Sequence, residues 1–382
     1  FSEEKPVVTK ARVPLLKSPS HFGHYTSRVD RPSNEDRYFA DGYESQEMKR
    51  QVFMYSVFDG HGGEDCSQFL KDHLANYIEE CDITKGEEVV QKYERNFGGY
   101  WRRWKNQLSK YVSKMSTQDD LQLRLLLAFL NADYDYSASE RNVGSGSTCT
   151  SVFIYTDSPT HQTYWDLKAV SQLTIAHVGD TRCIISDRFG EARPLTSNHH
   201  PSSPFEANRL KRYASSFFTD SFGEERFGVF ANTRSFGDLR MKSRGVSAEP
   251  DVSQYLIGDT NSSKFPGNTQ YAIEGGKNND IKTLGGDEAF IVIVSDGVSN
   301  EASDQEIVDV VVQTANQSGS GRGTPQQAAV EVVRYAEALG GDDNATCLVI
   351  RLSGWGKWPK RADRTGELRE HRLKNAFDRK SR

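Results

Sequence analysis

Cysteine is scarce and scattered in this chain. Five occur among 382 residues, at Cys66, Cys81, Cys149, Cys183 and Cys347, and no two form a CxxC pair. An odd, unclustered set fits reduced thiols in an intracellular compartment better than a disulfide framework or a zinc site. Long apolar runs are missing too. Stretches such as Ala289 to Val294 fall far short of a bilayer's thickness, so no membrane span is expected. There is no excess of positive charge: the formal net charge is −5, which argues against a general nucleic-acid binder. Gly144-Ser145-Gly146-Ser147-Thr148 lacks the lysine of a phosphate-cradling P-loop, and a strand pattern follows it where a P-loop has a helix. It reads as a turn entering a strand.

What is present is organised around Val57-Phe58-Asp59-Gly60-His61-Gly62-Gly63. The β-branched and aromatic run Val52 to Phe58 predicts a buried strand that stops at an acid, a glycine and a histidine. An acid at a strand end can project into a cleft. Gly60, without a side chain, leaves its carbonyl open to a ligand. Alone, this is an ordinary strand-to-helix turn.

Phe1 to Phe22 is polar and proline-spaced and predicts an extended arm, residues 1–22. The chain starts at Phe1 rather than Met, which fits either a trimmed chain or an omitted targeting segment. Tyr25 to Phe39 predicts two strands around a loop bearing Arg31, Glu35 and Asp36. Apolar residues from Phe69 to Ile78, and again from Leu121 to Ala132, recur at helical spacing. Between them, 84–117 is rich in charge and aromatics and reads as an insertion. Leu173 to Val178 predicts a strand ending in Gly179-Asp180-Thr181-Arg182, with Cys183 to Ser186 returning as its hairpin partner. The adjacent His199 and His200 point to opposite faces of an extended backbone, so they read as loop residues rather than ligands of one ion.

Residues 258–287, rich in Asn, Gly and Ser, form a second predicted excursion. Ala289 to Val294 is the clearest buried strand and again ends in acid and glycine, at Asp296-Gly297. Ser303 to Glu306 is a capping box, and Thr324-Pro325 starts a helix that Gly340-Gly341 stops. A flexible link is expected at 318–323. Asp342-Asp343-Asn344 precedes a last strand, and a basic tail, 354–382, looks packed over the body.

Acids therefore stand at or beside strand ends at Asp36, Asp59, Asp180, Asp296 and Asp343. Such hard oxygen donors suit Mg²⁺ or Mn²⁺. Each alone is a common turn residue; the ordered set says more. Six motifs run in sequence: Arg31-x-x-Asn34-Glu35-Asp36, Asp59-Gly60-His61-Gly62-Gly63, Gly179-Asp180-Thr181-Arg182, Arg234-Ser235-Phe236-Gly237-Asp238, Ser295-Asp296-Gly297 and Asp343-Asn344. Together they resemble the metal-dependent protein serine/threonine phosphatases (the PPM family, type 2C), over roughly Tyr25 to Leu352, and look closest to a fungal mitochondrial branch.

The resemblance implies an α+β fold: a four-layer α/β/β/α sandwich of two antiparallel sheets flanked by helices, within one domain at 23–353. It implies hydrolysis of phosphoserine and phosphothreonine by metal-activated water at a centre of two Mg²⁺ or Mn²⁺ ions. Carried over residue by residue, Asp59 bridges both ions and Asp296 and Asp343 complete one. The Gly60 carbonyl binds the other, whose waters Glu35 and Asp36 hold. Asp180 matches a weaker third site. Arg31 pairs with the substrate phosphate and His61 protonates the leaving alkoxide. Two such ions about 3.5–4 Å apart lower the pKa of a shared water, so no cysteine nucleophile is needed. The expected partner is a phosphoprotein substrate, with oligomeric state undefined, and the expected location is mitochondrial, the alternative being cytoplasmic.

The pattern departs from the family's usual Ala-Leu at Ser235-Phe236, its Ser at Thr181 and its Asp-His at Asn198-His199, without removing an implied ligand. Two other functions compete. A catalytically dead binding module would have lost an acid, and all are present. A two-metal nuclease would need the basic, aromatic-rich groove that this sequence lacks.

Overall fold

The computed structural model describes residues 14–45, 50–97, 121–139, 143–156, 163–167, 169–221, 223, 225–228, 230–258, 282–284, 286–317, 322–359 and 363–380. Two sheets form its centre. The smaller has the order β1–β14–β13–β6–β7, with β1 Phe22–Ser27, β6 Arg182–Ser186, β7 Ala192–Pro194, β13 Phe290–Val294 and β14 Ala345–Arg351. The larger has the order β12–β11–β5–β4–β3–β2. Its strands are β2 Arg37–Ser45, β3 Arg50–His61, β4 Gly146–Thr156, β5 Val170–Val178, β11 Asp251–Gly258 and β12 Lys282–Thr283, and β10 Phe236–Gly237 adds to β4. All pairs in both sheets are antiparallel except the short one between β11 and β12. A separate hairpin joins β8 Phe217–Thr219 to β9 Glu225–Phe227.

Period-two alternation builds three apolar layers from these strands. Phe53, Tyr55 and Val57 of β3 meet Ile291 and Ile293 of β13 and Leu348 and Ile350 of β14 between the sheets. The intervening Val52, Met54 and Phe58 face outward onto α1 Asp65–Glu79, α2 Gly86–Phe97 and α3 Leu121–Ala138. Phe290, Val292 and Val294 face α7 Asp304–Asn316 and α8 Pro325–Leu339 on the other side. Both faces of each sheet are covered, which is why the central strands read as continuous apolar runs. This is the expected four-layer α/β/β/α sandwich.

Short helices α4 Pro204–Leu210, α5 Leu239–Lys242 and α6 Asp296–Ser299 lie in connections, and α9 Gly366–Lys380 ends the described chain. The capping box of α7 forms as expected, α8 starts after Thr324 with a capping box of its own, and Gly340 closes it at φ +105°. Trp355 and Trp358 are buried, their rings 5.6 and 5.9 Å from Phe290, so the start of the tail completes the outer layer of the smaller sheet. Among the described residues no helix is long and apolar enough to cross a membrane.

Two expectations change. Cys183 to Ser186 is not the hairpin partner of β5: the chain leaves the larger sheet after Val178 and enters the smaller one at Arg182. A hairpin and a sheet-to-sheet crossing share one sequence signature, because either needs only a glycine and a turn. Strand β3 does not stop at Phe58 but runs through Gly60 and His61, which pair with Ser147 and Gly146 of β4. In the 84–117 stretch, α2 sends Val89, Val90, Tyr93 and Phe97 into the same core as α3. Tyr100 to Trp104, the link at 318–321 and most of 258–287 lie outside the described residues.

Candidate active site

Five segments bring their acids to one end of the sandwich. Asp59 comes from β3, Asp36 from the loop before β2, Asp180 from the β5–β6 crossing, Asp296 from the start of α6 and Asp343 from the turn before β14. The backbone N–H of Asp296 donates to Asp59 Oδ2 at 3.2 Å. Burial and then the charges of Asp296, Asp36 and Asp180 hold the Asp59 carboxyl well above the usual carboxylate range. Asp296 is pushed up to about 8 by burial, then by Asp180, Asp343 and Asp36. Burial raises Asp36 to about 6, against the hydrogen bond it accepts from Thr346 Oγ1 at 2.7 Å. Burial raises Asp180 too, although Asn232 donates to it at 2.8 Å.

The donor set fits divalent cations. It is all hard oxygen, and Asp36 Oδ1 is buried with no hydrogen-bond partner. Among the described residues, no three such side chains stand ready-made around one point. What the fold supplies is a collar of like charges. Arg31 Nη2 occupies part of it, 2.8 Å from Asp343 Oδ2. Both side chains are exposed, so that ion pair is weak and exchangeable. It joins two residues to which the sequence assigns different partners, the substrate phosphate and a metal.

Gly60 has a different reason from carbonyl access alone. A Cβ there would lie 2.4 Å from the Glu35 carbonyl oxygen and 2.7 Å from Ser67 Oγ, so only glycine lets the 28–36 loop seat on β3. Asn344 fastens the same loop, accepting from the Glu35 N–H at 2.8 Å and donating to the carbonyls of Arg28 and Ser33. Glu35 Oε2 accepts from the Gly63 N–H at 3.1 Å, which turns it along the 62–63 turn at the edge of the collar.

His61 stands beside the acids, its Nε2 2.9 Å from Asp238 Oδ2. Burial works to lower its pKa, but the bond to Asp238 and the nearby negative charges outweigh it, and the net shift is upward. Asp238 is buried, at φ +51°, and accepts a second hydrogen bond from Ser235 Oγ. Gly146 makes room for the pair: a Cβ there would lie 2.4 Å from His61 Nε2 and 2.6 Å from Asp238 Cγ.

Sequence reasoning gave no role to Asp238, Gly146, Asn344 or Asn232. Asp238 and Asn344 lie inside the quoted motifs, and Gly146 sits in a loop read as a mere turn. The signal was there, but the contact partners are distant in sequence. His199 and His200 do part company as expected. His199 is buried, with Nδ1 accepting from the Gly179 N–H at 2.9 Å and Nε2–H donating to Asp251 Oδ2 at 3.0 Å. It fixes the crossing that carries Asp180. Thr181, the departure from the usual serine, keeps a hydroxyl bond to Thr150 at 2.7 Å.

Comparison with known proteins identifies the family. The profile of the family described as Protein phosphatase 2C matches residues 22–265 and 279–345. The Schizosaccharomyces pombe protein named Protein phosphatase 2C homolog 4 is 35% identical over 358 residues, 91% of this chain and 84% of its own. The chain belongs to the protein phosphatase 2C family. It is a metal-dependent protein serine/threonine phosphatase, and its substrates are phosphoproteins. The Xenopus laevis protein named Protein phosphatase 1K, mitochondrial, is 25% identical over 88% of this chain and 69% of its own. The crystal structure titled as serine-threonine phosphatase 2C from Toxoplasma gondii has the same fold, with a TM-score of 0.57 at 16% identity, covering 90% of this chain and 98% of that one.

Behind the site, His177 stacks on His199 at 4.9 Å and is also buried. Burial, then His199, lowers its pKa to about 3, so it is neutral in the fold. Unfolded, it takes a proton from about pH 6.5. The unfolded state therefore binds the extra proton between about pH 6.5 and 3, and the stability present above 6.5 is lost as pH falls. The loss is about 1.4 kcal/mol per pH unit in that window. In urea titrations at pH 7.5 and 5, His177→Gln should lose less stability on acidification than wild type. An equal loss in both proteins would remove His177 as the sensitive group.

Proposed function

We propose that this phosphatase hydrolyses phosphoserine and phosphothreonine esters at a binuclear Mg²⁺ or Mn²⁺ centre built on Asp59. In this reading Asp59 serves both ions, Asp296 and Asp343 complete one, and the Gly60 carbonyl with Glu35 and Asp36 serves the other. Asp180 faces a third, weaker position. The observation that carries the reading is the collar itself: mutually repelling carboxylates from separate segments, one with an unpartnered buried oxygen. Mutual repulsion of this kind is relieved by a bound divalent cation, or by a proton where no cation binds. Bound there, Mg²⁺ or Mn²⁺ would activate water and neutralise phosphoryl charge.

The remaining work falls to the chain. Arg31 leaves Asp343 to receive the phosphate oxygens, for which a guanidinium fork is well shaped. His61, whose affinity for a proton Asp238 raises, gives its proton to the serine or threonine oxygen as the ester bond breaks. Asn232 and His199 hold Asp180 from two sides, one on its carboxylate and one on the backbone before it.

Calorimetric titration with Mn²⁺ tests the metal assignment. Asp59→Asn should fold, bind Mn²⁺ weakly and lose turnover; full turnover at saturating Mn²⁺ would reject Asp59 as the bridging ligand. The acid role of His61 is tested by the leaving group. General acid catalysis contributes about 10²–10⁴-fold, but a nitrophenolate departs without protonation. His61→Gln should thus lower kcat strongly on a phosphothreonine peptide and weakly on p-nitrophenyl phosphate. Equal losses would mean that His61 only shapes the turn. The mitochondrial name of one relative supports a mitochondrial location for this chain; fractionation with the protein solely in the cytosol would overturn that part.

A further inference from the structure

The C-terminal helix α9 is attached in an unusual way. A surface helix normally docks by an apolar stripe. Here Leu368 and Leu373 remain exposed, at 49% and 36%, while Arg369 is buried, 5% exposed, and Arg372 turns inward. Arg369 donates to Asp363 and to Gln313 of α7, and two acids on α7 complete the attachment. Asp309, with no exposed side-chain surface, accepts from the backbone N–H groups of Arg364 and Thr365 at 2.8 and 2.7 Å and from Thr365 Oγ1 at 2.8 Å, and lies 3.6 Å from Arg369. Glu306 accepts from Arg372 at 2.8 and 2.9 Å while it also caps α7 through Ser303.

The first turn of α7 also bears on the active site. Arg372 donates its other amino group to the Glu301 carbonyl at 2.6 Å, in the turn between α6 and α7. Helix α6 starts at Asp296, and Asn300, just before that turn, donates from its backbone N–H to the Asp296 carbonyl and from its side chain to Asp296 Oδ2. Asp304, the first residue of α7, holds Arg182 through two short bonds, and Arg182 lies two residues beyond Asp180. One helix turn thus connects the tail to the segments carrying two of the acids.

We propose that Arg372 is a positioning residue for catalysis: by gripping Glu306 and the Glu301 carbonyl together, the tail helix fixes the α6–α7 turn and so the place of Asp296 in the collar. This rests on Asp296 being a metal ligand. Two like-charged groups drift apart unless their backbones are held, and the Glu301 carbonyl is the point at which the tail helix grips the segment after Asp296. Loss of a group that orients a ligand typically weakens metal binding about 10- to 100-fold.

The test uses the full chain and Mn²⁺ as probe. Calorimetric titration of Arg372→Met should give an Mn²⁺ affinity about 10-fold below wild type, and hydrogen exchange of the 297–303 amides should quicken. Arg372→Lys, which keeps the charge but not the fork, should show a smaller loss in the same direction and serves if the methionine variant does not fold. Arg334→Met, at an exposed arginine on α8 that pairs with Glu331 among the described residues, should match wild type in both measurements. Wild-type Mn²⁺ affinity in Arg372→Met, with only a lower melting temperature, would overturn the proposal and leave the tail a structural brace. Wild-type protein that binds no Mn²⁺ would instead overturn the metal assignment on which the proposal rests.

Discussion

Everything at the working end of this fold answers to one constraint: several carboxylates of like charge are held close together at one end of the sandwich. Asp59 accepts a backbone hydrogen bond from Asp296, whose charge raises the Asp59 carboxyl's affinity for a proton, while Asp180, Asp343 and Asp36 do the same to Asp296. Nothing in that group of acids stabilises itself. The surrounding structure has to, and it does so by fixing backbone rather than by pairing charge. Gly60 is bare so that the 28–36 loop can press on β3, Asn344 binds that loop at three points, and His199 holds the crossing before Asp180. Val29, a β-branched residue at φ +50°, shows that the loop tolerates backbone strain to reach its place.

The same logic separates the histidines. His61 is next to a buried carboxylate and is shifted toward its charged form. His177, two strands away, has only neutral hydrogen-bond partners, the Thr150 hydroxyl and the Ser197 carbonyl, and stays neutral. Identical side chains thus take a proton-donating role or a packing role according to what the fold sets beside them. The buried arginines behave likewise. Arg234 and Arg209 share Glu206 in the interior, and that exchange of charge holds Glu206 far below the usual carboxylate range despite its burial.

Much of this was legible in the sequence. Strands covered on both faces produce continuous apolar runs, so Val52 to Phe58 and Ala289 to Val294 announced themselves, and acids that interrupt such runs mark where the chain leaves the core. The capping residues Ser303 and Thr324 act locally and could be read locally. Legibility failed where a residue's reason is a distant neighbour. Gly146 matters because His61 and Asp238 converge on it, and Asp238 because His61 faces it, contacts that join positions 177 residues apart. The β5–β6 crossing was mistaken for a hairpin because the choice of sheet is made by packing, not by the turn. The inward arginines of α9 were read only as part of a basic tail, since a helical pattern of charge gives no hint that acids on another helix await it.

The central claim is that the acids form one cation-binding collar around Asp59. Crystals soaked in MnCl₂ and measured at the manganese absorption edge test it most directly. The account predicts anomalous peaks enclosed by Asp59, Asp296, Asp343 and the 35–36 loop, with the Arg31 side chain no longer paired to Asp343. Manganese bound elsewhere on the chain, with those acids unoccupied and the Arg31–Asp343 pair intact, would contradict it.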